Sequence, residues 1–594
     1  MSLLYIARTC LISQTRAHRL TGLVFLCALL FSISTPAFGQ NNFIAQVEGA
    51  KLEAFKQYVL AEKGSINGII DLDESHLVDF HGDQGLKARV RRYNGVLLVS
   101  DNPEIQWIDP AKTILLGVSE TELQNDKNSD DLSELQWGLQ SIGAKDAWPQ
   151  SRGKGVRIAI IDNGIDANHQ DLASNINASL SKSFVPTETW QTNAAFGFHH
   201  GTHIAGIIAG ADDGKGVLGV APEAEIVALK VASDRTGSGD FSWLLEAIVY
   251  AAHQNVDIAH VGLGVLYSKT GPTGARALEM QKMVDLVGAY ANAKGVTLVA
   301  PVGDDGKDIA DCCLYLPASS PAFITVASTT PVGWAFDPYA NTDKPTSYTN
   351  ASASAIDFAA PGGDILYPGR DYCVIASMNR PCWTFDLVFS SVADGWGWAS
   401  GSSMSTAFLS GVAALVYAKE TAKGEEREIT PALLKQLLIN HTRAAKRVDN
   451  EDRANKPGKD PFYGFGIIHA HKEELLADHS HATIEIVNGM LSEEQLEHVS
   501  PEIFELYQNY PNPFNPQTTI NFHIPQTSRV QVTVYDLMGS QVATLVDQEL
   551  EKGCYNTSWN GRDEAGRTLM SGVYMYKIDA ETFVDSKVMT FANN

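Results

Sequence analysis

The chain reads as an α/β protein: a doubly wound parallel sheet, preceded by a small α+β unit and followed by an all-β sandwich. Three observations predict this. Between Trp137 and about Asp478, short near-continuous apolar runs alternate with longer amphipathic ones, the pattern of strands buried on both faces and joined by helices. Residues 41 to about 118 carry strand-like runs around one helical period, and from about Pro501 short alternating runs are separated by Gly, Pro, Asn and Asp turns.

Taken in order, the N-terminus carries Arg8, Arg16 and Arg19, an apolar stretch from Leu20 to Ile33, and the small-residue signature Ala37-Phe38-Gly39. This predicts a signal peptide over 1–39. The stretch falls short of the ~20 residues a membrane span needs, and nothing downstream is long and apolar enough, so the mature chain is expected to be exported, without a membrane span. Phe43–Val47 and Gly95–Val99 read as strands and Leu52–Ala61 as a helix, with apolar residues at Leu52, Phe55, Tyr58 and Val59. These place a separate unit at 40–118. The polar, acid-rich stretch 119–136 reads as an exposed, cleavable linker.

The central domain is expected over 137–478. Its strands are Val156–Ile161, Glu225–Val231, Ile258–Val261, Val296–Ala300 and Phe323–Ala327. Its helices are Phe241–His253, Leu278–Ala293, Ser403–Tyr417 and Pro431–Asn440. Ligands of such sheets sit at the carboxyl ends of the strands, which is where Asp162 falls. A second linker is expected over 479–505. The sandwich over 506–594 rests on the alternating runs Ile520–Ile524, Val530–Tyr535 and Val573–Ile578.

The net charge of -24 makes nucleic acid and anionic membrane surfaces unlikely partners, because both need a basic face. Cys312, Cys313, Cys373, Cys382 and Cys554 remain after processing. In an exported chain disulfides are permitted. Cys373 and Cys382 are close enough to staple one loop, each could instead reach the Cys312-Cys313 pair, and Cys554 is most simply the odd one.

Three segments carry a carboxylate, an imidazole and a hydroxyl: Asp162-Asn163-Gly164, His200-Gly201-Thr202-His203 and Gly401-Ser402-Ser403-Met404. Nucleophilic acyl transfer needs these groups: a Ser to attack, a His to take its proton, and an Asp to hold that His in the right tautomer. With their neighbours Ile160–Asp166, His200–Gly206 and Gly401–Ala407, the segments resemble the three signature blocks of the subtilisin family, in the family's Asp, His, Ser order. The resemblance covers about residues 137–478. It implies a serine endopeptidase acting on protein or peptide substrates, with Asp162 orienting, His200 as general base and acid, and Ser403 as nucleophile. Asn163 and Ala407 depart mildly from the family pattern.

The segment Gly295–Gly306 resembles the block whose Asn donates to the oxyanion, but here that residue is Asp304. With the backbone N–H of Ser403 it would form the oxyanion hole, yet an ionised carboxylate only accepts hydrogen bonds. Asp305 and partial burial are expected to push its pKa up, so activity is expected to favour mildly acidic pH. A similar Asp occurs in one branch of the proprotein convertases, which resemble active enzymes. The alternative is a weakly active or inactive relative that binds peptides. The resemblance places the substrate groove along Gly262, Leu263 and Gly264 and along Ala300 to Gly303; His260, beside the first, reads as packed rather than catalytic.

The resemblance also implies a structural calcium, held by Asp171 and by Ala211, Asp213, Lys215 and Val217 of the loop 211–217, where oxygen ligands suit that ion. The unit 40–118 resembles a subtilisin propeptide, implying a zymogen inhibited by its own propeptide and cut in the linker. The segment Asn509–Pro516, with Val534-Tyr535-Asp536 and Ser571–Tyr574, resembles a type IX secretion sorting domain. That implies a bacterium with an outer membrane, secretion machinery as a partner, and a secreted or cell-surface product.

Overall fold

The computed structural model describes residues 41–591 except 109–114, 120–131, 194–198, 338–339, 423–428, 446–459, 472–483, 488–489, 492–503, 507–508, 510–513, 515–516, 537–539 and 581–582. The signal peptide, most of the first linker and part of the Asn509–Pro516 motif lie outside the described residues.

The central sheet follows the expected doubly wound plan. Its strands run in the spatial order Thr442–Arg443, Ile467–Ile468, Phe358–Pro361, Phe323–Thr330, Thr297–Pro301, Ile258–Val261, Arg157–Asp162, Glu225–Lys230 and Lys182–Ser183, with Lys344–Pro345 on the side of Phe323–Thr330. All the central pairings are parallel, for example Ala259 opposite Ala159 and Ala159 opposite Val227. Every residue of Ile258–Val261 and Phe323–Thr330 is buried, because helices cover both faces. The helices Phe241–His253 and Gly271–Ala293 pack on one face around Leu244, Ile248, Met283 and Val287. The helices His200–Ala209 and Ser402–Thr421 pack on the other around Ile204, Ile207, Leu409 and Val412.

The N-terminal unit is a four-stranded antiparallel sheet in the order Ser65–Asp71, Ser75–His81, Asn42–Glu48, Val96–Asp101. Phe43, Phe55, Val59, Phe80 and Leu86 form its core, separate from the central one. It is tied to the central domain at several points. Glu104–Gln106 pairs antiparallel with Ser238–Asp240, the Asn102 amide accepts from Ser242 N at 2.8 Å, and Lys87 reaches Asp101 at 2.7 Å and Glu279 at 3.1 Å.

Two stretches differ from expectation: 115–118, placed in the N-terminal unit, and part of 119–136, read as an exposed linker. Leu115–Ser119 forms a strand against Gly395–Ala399 of a hairpin, and Leu132 and Leu135 are buried in the central core. Both contribute apolar side chains, which outweigh the polarity of their neighbours. The C-terminal region is all-β, with one sheet of Gln541–Leu550, Ser528–Tyr535, Gly572–Ala580 and Phe583–Phe591. Its other sheet holds Gly553–Trp559, Thr518–Ile524 and Glu505–Leu506, together with Ile484–Val487 and Met490–Leu491 from the expected second linker. Disulfides join Cys312 to Cys313 and Cys373 to Cys382.

Candidate active site

The three signature segments meet at the carboxyl edge of the sheet. Asp162 is the last residue of its strand, His200 is the first of its helix, and Ser403 lies in the first turn of the Ser402–Thr421 helix. His200 Nδ1 stands 2.9 Å from both carboxylate oxygens of Asp162. Asn163 N donates to Asp162 Oδ1 at 2.8 Å, and the Asn163 side chain accepts from Gly201 N at 3.0 Å. The departure at Asn163 therefore ties the aspartate loop to the histidine helix. Burial alone would lower the His200 pKa, but the Asp162 carboxylate, with a smaller contribution from Asp304, holds it above its ordinary value. An imidazole so placed, with Nδ1 committed to a carboxylate, can take a proton only at Nε2.

Ser403 Oγ donates to the Gly262 carbonyl at 2.8 Å, which fixes the resting hydroxyl beside the groove segment. Gly262 has no alternative there: a Cβ would fall 2.2 Å from Asp162 Oδ2 and 3.2 Å from His260 Nε2. His260 is buried and neutral, its pKa pulled down to about 3 by burial. Ser410 gives its own proton to the Thr406 carbonyl, so His260 Nδ1 donates to Ser410 Oγ at 3.1 Å. That is the packed role expected of it. Of the other residues expected in the groove, Leu263 and Ala300 are buried.

Asp304 lies beside the start of the helix that carries Ser403. Its Oδ1 accepts from Ser402 N at 2.9 Å, one residue before the nucleophile. Asp304 is exposed as a residue, yet protein crowds its carboxyl. That desolvation pushes its pKa up and Asp305 adds to the rise, while the Ser402 hydrogen bonds and His200 oppose it. No sequence signal pointed to Asn350, which holds this loop: its side chain accepts from Asp305 N at 3.2 Å and Lys307 N at 3.0 Å and donates to the Val302 carbonyl at 3.0 Å. It lies in a polar run without a period, so only tertiary contact reveals it.

Of the residues expected to hold calcium, Asp171 is already engaged by protein donors. Asp171 Oδ2 is taken by donors: Trp396 Nε1 at 2.8 Å, Ser391 Oγ at 3.0 Å and Val217 N at 3.2 Å. Its Oδ1 has no partner among the described residues, but Gly216 closes over it, where a Cβ would fall 2.0 Å away. Val217 turns its N–H to the carboxylate, Ala211 donates its own N–H to the Asp171 carbonyl, and exposed Asp213 accepts from Lys215 N at 3.2 Å within its own turn. Calcium needs converging oxygens, whereas Asp171 Oδ2 is committed to N–H and O–H donors, two of them from the Val388–Val392 and Gly395–Ala399 hairpin.

A hydroxyl, an imidazole and a buried carboxylate at the carboxyl edge of a parallel sheet define a hydrolase of the serine type. Sequence comparison then narrows the class: the chain belongs to the subtilase family, whose sequence model matches residues 153–466. It is similar to subtilisin E of Bacillus subtilis, 28% identical over 449 residues, covering 75% of this chain and 96% of that protein. To the subtilisin of Bacillus pumilus it is 31% identical over 337 residues, 56% of this chain and 96% of that one. Among solved structures, the epidermin leader peptide processing serine protease of Staphylococcus aureus matches with a TM-score of 0.54 at 20% identity, covering 73% of this chain and 97% of that one, and so shares the fold. A second family model, of the FlgD Ig-like domain, matches residues 513–582. The chain is thus a subtilisin-like serine protease acting on proteins or peptides. Among the described residues no helix is long and apolar enough to cross a membrane.

Proposed function

We propose that the chain is a secreted serine endopeptidase made as a zymogen, and that its oxyanion site works through a protonated Asp304. The contact of His200 Nδ1 with both oxygens of Asp162 carries the reading. Ser403 Oγ attacks the substrate carbonyl while His200 Nε2 takes its proton, and the imidazolium is stabilised by Asp162. The negative charge gathers at the N-terminus of the Ser402–Thr421 helix, facing the Ser403 N–H and, when protonated, Asp304. His200 then protonates the leaving amine, and water repeats the sequence to free the acid.

The docked N-terminal unit supports its role as inhibiting propeptide, since Glu104–Gln106 extends the Ser238–Asp240 edge, a few residues beyond the strand beside Asp162. Export by a type IX system rests on the sequence of the C-terminal sandwich alone. The competing peptide-binding reading rests on Asp304, whose charged form would oppose an oxyanion. A fluorophosphonate probe separates the two: covalent labelling lost in Ser403→Ala supports the enzyme, and a wild-type chain that never labels overturns it. Cleavage within 119–136, read by N-terminal sequencing, tests the zymogen.

A further inference from the structure

The strands Ile258–Val261 and Thr297–Pro301 are neighbours in the sheet, so the groove segments that follow them, 262–264 and 302–303, leave it side by side. Gly262 reaches the nucleophile through the Ser403 hydroxyl, and Gly303 N donates to Oγ of Ser402, the residue before it, at 3.3 Å. Between two such backbones the side chain on the acyl side of a scissile bond would enter. That slot is filled by the ring of Tyr315. A Cβ on Gly264 would fall 2.1 Å from Tyr315 Cε1, and one on Gly303 would fall 2.2 Å from Cε2. Cε1 and Cε2 are opposite edges of one ring, so the ring spans the gap from one backbone to the other.

The ring is held rather than loosely parked. Tyr315 lies in the strand Cys313–Leu316, paired antiparallel with Val265–Ser268. Its N–H donates to Ser319 Oγ at 2.8 Å, its carbonyl accepts from Ser319 N at 2.7 Å, and the residue is only 8% exposed. Upstream, Lys269 N donates to the Cys312 carbonyl at 2.8 Å, and Lys269 Nζ to the Ala310 carbonyl at 2.8 Å.

We propose that Tyr315 sets the specificity of this protease: it closes the pocket for the acyl-side residue, so that the enzyme cleaves after Gly or Ala and rejects large side chains. The proposal rests on the endopeptidase reading. Peptides differing only at the acyl-side residue test it. The activated wild-type enzyme is expected to prefer Ala or Gly over Phe or Leu by at least about 100-fold in kcat/KM, because a closed slot rejects sterically as well as by lost contact. Tyr315→Gly should open the slot and raise kcat/KM for Phe by about 10–100-fold, the effect of burying such a side chain. Tyr315→Phe, which keeps the ring, should keep the Ala and Gly preference, and it carries the test if Tyr315→Gly does not fold. A wild-type enzyme that labels with fluorophosphonate yet takes Phe as readily as Ala overturns the proposal and leaves the protease reading intact, as does a Tyr315→Phe profile shifted to large residues. A wild-type chain that does not label overturns both.

Discussion

Asp304→Asn tests the protonated-carboxyl reading of the oxyanion site most directly. Asp304 Oδ1 accepts from Ser402 N at 2.9 Å. An Asn of the same shape can keep that hydrogen bond through its carbonyl and turn a permanent N–H donor into the cleft. In the wild type a donor exists there only while the carboxyl is protonated, a fraction that falls as pH rises through its raised pKa. Catalysis also needs neutral His200, a fraction that falls as pH drops through a pKa raised partly by Asp304 itself. The two requirements oppose each other and confine the wild type to a narrow, mildly acidic optimum. One oxyanion donor is worth about 10²–10³ in rate, or about 2.7–4 kcal/mol. Asp304→Asn should therefore remove the alkaline limb, move the optimum upward and raise kcat above that limb by as much as about 10²-fold. Removing the charge should also lower the His200 limb. The assay is kcat/KM for one peptide across pH for both proteins. Superimposable profiles would refute the reasoning.

Ser403→Ala should lower peptide hydrolysis by at least about 10⁴ and leave the N-terminal unit covalently attached, which mass spectrometry of the purified chain reads directly. Chelation by EDTA should leave Tm unchanged, because donors already serve Asp171; a fall of more than about 2 °C, the size of a loss of about 1 kcal/mol in a domain this large, would restore the calcium site. Ser391→Ala removes one of the three donors to buried Asp171 Oδ2 and should cost about 1.5–3 kcal/mol in denaturant unfolding. A cost below about 0.5 kcal/mol would mean that the carboxylate is neutral or otherwise served.

The parallel sheet was legible because strands buried on both faces have nowhere to put polar residues, as Ile258–Val261 and Phe323–Thr330 illustrate. The Asp, His and Ser segments were legible because each chemical group sits where a strand ends or a helix begins. What escaped depended on contacts far apart in sequence. The Val388–Val392 and Gly395–Ala399 hairpin, rich in Ser, Gly and Trp, carries no sequence signal of its contacts, yet it is fully buried and supplies two donors to Asp171. Tyr315 sits in an apolar run that reads as an ordinary core strand. Only the absence of side chains at Gly264 and Gly303, segments distant from it in sequence, reveals that it fills a groove.

The strand Leu115–Ser119 pairs residue by residue with Gly395–Ala399, and that hairpin leads directly into the helix that carries Ser403. Hydrolysis of a peptide bond elsewhere in the chain leaves this ladder untouched. In the proposed zymogen, cutting and letting go would therefore be separate events, with the interval between them set by how fast this strand peels from its partner. The lag before full activity would then follow temperature and denaturant in the manner of an unfolding rate, and would be insensitive to how quickly the bond itself was broken.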